Sequence, residues 1–185
     1  MRTSKSGQSA LLLLDVVDLL ATEQIDYAVI GALAASIHGA IRASMDADAV
    51  LSLGLQEAGK LEHAFKAAQF RTELARGDFE DPIPGLLRLS DGFGNRVDLL
   101  IGLRGLEAAA FSRAVEVPFK GKTLKFIGRE DFIAMKVFAG GPVDIADAAR
   151  AVSAAGASLD VALARRLATR YGRDASVALE RLLAK

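Results

Sequence analysis

An α/β (α+β) fold is what this sequence predicts: a mixed β-sheet flanked by helices, followed by a C-terminal helical bundle. Two patterns carry the expectation. Short apolar runs and turn clusters alternate with helix-period stretches over residues 1–127, and after Gly128 only helix-period stretches remain. Composition agrees: 185 residues, 51% hydrophobic and 25% charged, suit one globular domain or one domain with a small appendage.

Residues Gln8 to Glu23 read as an amphipathic helix, with Leu12, Val16, Leu19 and Leu20 near one face and Asp15, Asp18 and Thr22 on another. Tyr27 to Ile30 is a short strand ended by Gly31. Ala32 to His38 is a short helix, and Gly39 is its left-handed stop. Asp46 to Leu53 alternates as a second strand, with Ala49, Leu51 and Leu53 on its apolar side. Gln56 to Ala68 is a helix turning Leu61, Phe65 and Ala68 inward. Phe70 to Leu74 begins a run of strands. Leu86 to Leu89 and Val97 to Ile101 flank the turn-forming Asp91-Gly-Phe-Gly-Asn95 as a hairpin. Leu106 to Arg113 has helical character. Val115 to Phe119 and Thr123 to Ile127 form a second hairpin across Lys120-Gly-Lys122. Four helices follow, at Glu130 to Ala139, Val143 to Ala154, Leu159 to Tyr171 and Ala175 to Ala184. This divides the chain into residues 1–127 and a helical subdomain, residues 128–185. The helices cannot easily bury their apolar stripes alone, so they are expected to pack on the first part.

Charge and composition exclude several classes of function. Lys+Arg and Asp+Glu both number 23, so bulk charge does not drive nucleic-acid binding, and the sequence carries no DNA-binding motif. With no Cys, disulfide frameworks, thiolate zinc sites and cysteine nucleophiles are ruled out. His38 and His63 are too few for a histidine-rich metal site. A catalytic metal would therefore need carboxylates, which favours hard ions such as Mg²⁺. The most apolar run, Leu11 to Leu20, is broken by Asp15 and Asp18, and no export signal is legible. The expected location is cytoplasmic, with no membrane partner.

The chemistry concentrates between Gly31 and Asp48. Asp46 and Asp48 are two residues apart, so on a strand both carboxylates point to one face, a repulsive arrangement that a divalent cation relieves. Gly31 closes a strand and opens a helix. The free N–H groups at Ala32 and Leu33 suit a phosphate, and equally an ordinary β–α turn. Arg42 and Ser44 either contact phosphate oxygens or cap and solvate a loop. Asp98 lies inside the apolar run Val97-Asp-Leu-Leu-Ile101. It either joins Asp46 and Asp48 in a three-carboxylate cage or simply faces water while its neighbours face the core.

The pattern Gly-x(7)-Gly-x-x-Arg-x-Ser-x-Asp-x-Asp with a later Val-Asp-Leu-Leu resembles the DNA polymerase β-like nucleotidyltransferase superfamily. Within it, the likeness is to abortive-infection-type nucleotidyltransferase toxins and their bacterial relatives. Phe126-Ile-Gly-Arg-Glu-Asp-Phe-Ile-Ala-Met-Lys-Val-Phe-Ala139 resembles that group's lysine-bearing helix, and Asp144-Ile-Ala-Asp147 its following Asp-x-x-Asp. The likeness spans roughly residues 25 to 150 and implies a minimal nucleotidyltransferase fold using an NTP substrate and two Mg²⁺ ions. It places Asp46, Asp48 and Asp98 on the metals, with Asp98 helping to deprotonate the attacking hydroxyl. Gly31 and Ala32 would lie beside the departing pyrophosphate, with Arg42 and Ser44 near the phosphates or the Asp strand. Lys136 would neutralise triphosphate charge, and Asp144 would orient Lys136 or the nucleotide. The acceptor would be RNA such as tRNA, a protein or a small molecule, with an antitoxin as a further partner. Ala32 departs from the pattern, lacking the hydroxyl of a Gly-Ser pair. Gly140-Gly-Pro-Val143 departs too, where a basic stretch is usual.

The rival reading is a catalytically degenerate protein of the same fold that binds a nucleotide or a partner; a purely structural domain is the third. Lys136 alone also reads as a solvated cation, and Asp144 as a helix cap. His38 reads as structural and His63 as a surface residue. From Arg150 to Lys185 seven basic residues face three acidic ones, a docking face for RNA or a set of solvated arginines.

Overall fold

The computed structural model describes residues 1–78 and 80–184. Its elements are α1 (Ser9–Thr22), β1 (Tyr27–Ile30), α2 (Gly31–Ile37), β2 (Asp46–Leu51), α3 (Ala58–Ala67), β3 (Arg71–Arg76), β4 (Gly85–Ser90) and β5 (Arg96–Ile101). They continue as α4 (Ala109–Ser112), β6 (Val115–Phe119), β7 (Lys122–Phe126), α5 (Arg129–Ala139), α6 (Pro142–Ala155), α7 (Val161–Arg170) and α8 (Arg173–Leu183). Among the described residues the strands form one mixed sheet in the order β3-β4-β5-β2-β1-β7-β6. The expected α/β architecture with trailing helices is therefore present.

Two neighbours of β2 set up the site. β1 pairs with it antiparallel, and β5 pairs with it parallel in a register that puts Asp48 opposite Asp98 and Asp46 opposite Arg96. The period of two along each strand sends Ala47, Ala49, Val97 and Leu99 into the core, where each is essentially fully buried. Helix α1 packs on both β2 and β5. Asp46, Asp48 and Asp98 consequently emerge together on the opposite face.

The entrance to β2 is tied down by α1. Ser9 donates its hydroxyl to the Met45 carbonyl at 2.5 Å and accepts from the Arg96 amide at 3.0 Å. The 91–95 turn is held by Asp91, whose Oδ1 accepts the amides of Phe93 (2.7 Å) and Asn95 (3.0 Å). Asn95 in turn accepts from the Gln8 amide at 2.6 Å, so the hairpin loop is stapled to the start of α1.

Three local expectations are corrected. The helix expected over Leu106 to Arg113 shrinks to α4, because Gly105 turns the chain at φ 87° and the side chains of Glu107 and Arg113 are drawn into ion pairs. Ala68 is exposed rather than inward: α3 ends at Ala67, and Gln69 adopts a left-handed φ of 65°. Strand β2 stops at Leu51, which leaves Leu53 only half-buried.

Helix α5 is the hub of the helical part and touches α6, α7 and α8. His38, at the end of α2, donates from Nε2 to the Ile127 carbonyl at 2.8 Å and lies 5.2 Å from the Phe132 ring. Burial pushes its imidazole below the ordinary histidine range, so it is neutral and structural. His63 is exposed. Three of the six C-terminal arginines are spent inside the molecule: Arg165 on Glu180, Arg166 on Glu107, and Arg170 on the Gly105 carbonyl. Lys185, counted with them in the sequence, lies outside the described residues.

Candidate active site

Asp48 sits where three constraints meet. It is on the central strand β2, faces Asp98 across the parallel ladder, and presses against the β1–α2 turn at Gly31. Gly31 holds φ 64°, and a Cβ there would fall 2.0 Å from Asp48 Oδ2. Only glycine permits this approach. Burial, and then the charges of Asp98 and Asp46, raise the Asp48 carboxyl above its ordinary value, only partly offset by the charges of Lys136 and Arg42. Among the described residues it accepts no hydrogen bond.

Its two companions have partners. Arg96 donates from Nη2 to Asp46 Oδ2, and its Nε stands 3.6 Å from Asp98 Oδ1. Arg88, on β4 directly opposite Asp98, donates to Asp98 Oδ1 at 3.2 Å and to Glu73 at 3.2 Å. The three carboxylates thus share one face without closing into a ready-made cage, and no group of three acidic or histidine side chains among the described residues does so. The residues still fit a divalent cation: a half-buried carboxylate without a donor, flanked by two like charges, is the electrostatic deficit such an ion fills.

Lys136 extends the site from α5. Its side chain is 10% exposed and its Nζ lies 2.6 Å from Asp144 and 3.2 Å from Asp147, both on α6. Asp144 makes no helix-capping bond and faces the lysine instead. Asp147 is fully buried, receives Arg42 Nε at 3.1 Å, and keeps Oδ1 without a partner. Arg42 is therefore drawn towards α6 rather than left in solvent. Ser44 is exposed, and its hydroxyl oxygen lies 3.3 Å from the Asp46 amide at the head of β2. Ala32 is buried directly behind Gly31.

A cavity of about 460 Å³ adjoins these groups, with Gly31, Lys136 and Asp144 in its wall beside Ile30, Leu100, Phe132 and Met135. Another, of about 520 Å³ around Val17, Tyr27 and Lys125, shares none of the candidate residues.

Sequence reasoning missed Arg88 and Arg96 and left Asp147 outside the candidate set. The arginines were detectable. Arg96 is two residues before Asp98 on the same strand, and counting across the 91–95 turn pairs Arg88 with Asp98.

The fold has solved counterparts. The antibiotic-resistance factor ANT(2'')-Ia, in its solution structure, superposes with a TM-score of 0.58 at 15% identity, over 94% of this chain and 96% of that one. The fold is that of the nucleotidyltransferases. A crystal structure of ANT(2'')-Ia with adenylyl-2''-tobramycin gives the same TM-score at 16% identity, over 88% of this chain and 98% of that one. The lincosamide antibiotic adenylyltransferase LnuA, lincomycin-bound, gives 0.51 at 12% identity, over 82% and 99%. No family model matches the sequence, and no curated protein matches it by sequence. The nucleotidyltransferase fold thus stands on architecture.

Proposed function

We propose that the chain is a metal-dependent nucleotidyltransferase that moves a nucleoside monophosphate from an NTP to a hydroxyl-bearing acceptor. The observation that carries this reading is the convergence of Asp46, Asp48 and Asp98 on one face of β2 and β5, with Asp48 lodged against Gly31. Asp46, Asp48 and Asp98 would hold two Mg²⁺ ions, which when bound neutralise triphosphate charge and polarise the α-phosphorus. Asp98 takes the proton of the attacking hydroxyl, a new P–O bond forms to the acceptor oxygen, and pyrophosphate leaves past Gly31 and Ala32. Lys136, fixed by Asp144 and Asp147, and Arg42, fixed by Asp147, present positive charge to the phosphates. Residues 1–127 act as the carboxylate-bearing lobe, and residues 128–185 as the helical lobe that closes the cleft.

The solved counterparts that carry adenylyl-tobramycin and lincomycin favour a small hydroxyl compound as acceptor. A toxin-like branch, with tRNA or a protein as acceptor and an antitoxin partner, is tested by the same assay. Each NTP is incubated with Mg²⁺ and one acceptor at a time: an aminoglycoside, a lincosamide, tRNA or a cell extract. Pyrophosphate and the labelled product are then measured. Transfer that Asp48→Asn abolishes is the expected result; transfer unaffected by Asp48→Asn defeats the mechanism.

One observation favours a second reading. Arg96 and Arg88 already neutralise Asp46 and Asp98, and Ala32 offers no hydroxyl to a phosphate, which suits a nucleotide-binding module without chemistry. Calorimetry that records NTP binding with no pyrophosphate release under any acceptor identifies that case.

A further inference from the structure

We propose that Arg96 is a built-in counter-cation that competes with a divalent ion for Asp46, holding the carboxylate face assembled but closed to free metal. The inference rests on the nucleotidyltransfer reading, which is what gives this face a cation to admit.

The two arginines are held on different terms. Arg88 is anchored at both ends, by Asp98 on one side and Glu73 on the other, each at 3.2 Å. Arg96 makes one side-chain hydrogen bond, to Asp46. Its Nε is buried with no hydrogen-bond partner and stands 3.6 Å from Asp98, too long for a bond. The Arg96 side chain is nonetheless 39% exposed, against 14% for Asp98, so it has a route to water. Releasing it breaks one bond at Asp46 and frees an Nε that is unsatisfied where it stands.

The neighbouring cations are already engaged, Arg88 with Asp98 and Glu73. Lys136 is committed to Asp144 and Asp147, and Arg42 to Asp147. Once Arg96 leaves, Asp46 loses its bonded counter-charge beside the like charge of Asp48, and an arriving cation takes that role. A bare cation must do so against the guanidinium's repulsion. A cation already carried by a triphosphate brings oxygens to which Arg96 can turn, because charge-assisted bonds to phosphate are strong for arginine. Arg96 is thus a positioning residue that makes ion entry depend on nucleotide.

The test is Mn²⁺ titration of the nucleotide-free protein, by calorimetry and by the electron paramagnetic resonance signal of free Mn²⁺. Arg96→Gln and Arg96→Met are expected to bind Mn²⁺ about tenfold more tightly than the original chain. Arg96→Lys, which keeps the charge, is expected to restore weak binding. Arg165→Gln, which removes a guanidinium paired with Glu180 on α8, should leave the affinity unchanged. Circular dichroism confirms that each variant is folded. Unchanged or weaker Mn²⁺ binding in folded Arg96→Gln and Arg96→Met, or Arg96→Lys behaving like Arg96→Gln, overturns the proposal while leaving nucleotidyl transfer standing. If neither the original chain nor any Arg96 variant binds Mn²⁺, the counter-cation role falls, whereas the metal-dependent reading is defeated separately, by transfer that proceeds in the NTP assay with Mg²⁺ removed by a chelator.

Discussion

Two clusters of charge in this molecule are built on opposite terms. Around Arg113 every carboxylate is met. Its Nε and Nη2 donate to Asp131 at 2.8 and 2.7 Å, its Nη1 lies 2.8 Å from Glu107, and Glu107 also receives both terminal nitrogens of Arg166. The Arg166 bonds, with help from Arg113, hold the Glu107 carboxyl down at about 2. Around Asp48 the balance is reversed: burial and two neighbouring carboxylates push its carboxyl up, and no donor answers. The first cluster ties the β5–α4 connection to α5 and α7 and works as a fastener. On the proposed nucleotidyl-transfer reading, a carboxylate left short of partners in a half-buried place is kept for a cation that arrives from outside.

The sharpest way to break this contrast is to neutralise the member that stands unpaired. Asp48→Asn is expected to lower nucleotidyl transfer by about 10³-fold while raising the melting temperature, because it removes the repulsion from Asp46 and Asp98. Pyrophosphate release and thermal unfolding on one sample check both; a variant that loses stability as well as activity would make Asp48 a fastener after all. The opposite outcome is expected at the satisfied cluster. Arg113→Ala strands Asp131, which is 3% exposed, and is expected to cost about 3 kcal/mol in urea unfolding while leaving kcat of the folded fraction intact.

How much of this was legible in the sequence follows the same division. The β2 carboxylates were readable because a two-residue spacing fixes a face whatever the strand pairs with, and Asp98 because a charge inside Val97-Asp-Leu-Leu-Ile101 is conspicuous. Their convergence stood only as one of two readings of Asp98 and as what the resemblance implies, since it depends on β5 pairing parallel to β2 with Asp48 opposite Asp98, and register between strands about fifty residues apart leaves no local trace. Arg88 and Arg96 escaped although the local hairpin count reaches them, because an arginine at a polar position of a strand reads as solvated unless that count is made. The fold came through better, as its hairpins and helices are written in local turns and periods. Leu106 to Arg113 failed because Glu107 and Arg113 were drawn to partners on α5 and α7, and no sequence period reports that pull.

A backbone change reaches Asp48 without touching its charge. Gly31→Ala places a methyl 2.0 Å from Asp48 Oδ2 at φ 64°, so either the strand or the carboxylate must move. The left-handed conformation alone is expected to cost about 2 kcal/mol. Displacing Asp48 should lower transfer further than the lost stability explains. Activity retained beside a 2 kcal/mol loss would show that the site tolerates Asp48 elsewhere, and would weaken the claim that this turn sets its position.

The smallest expected effect separates the clusters by the sign of their response to acid. Glu107 titrates at about 2 in the fold against 4.5 when free, so its stabilisation is complete above pH 4.5 and fades as pH falls toward 2. Glu107→Gln should therefore be less stable than the original chain by about 1 kcal/mol at pH 7, screened as partly exposed pairs are, with the gap closing only over that acid interval. Asp48 runs the other way. Its folded carboxyl lies above the free value of 3.8, so its ionised form works against the fold at neutral pH and protonation relieves the strain. Asp48→Asn should begin as the more stable protein and lose that advantage on acidification, the gap closing by about pH 3.8. Melting curves taken with a chelator present from pH 7 to pH 2 compare the two variants directly. Gaps of the same sign would mean that both clusters are fasteners, and the distinction between them would have to be abandoned.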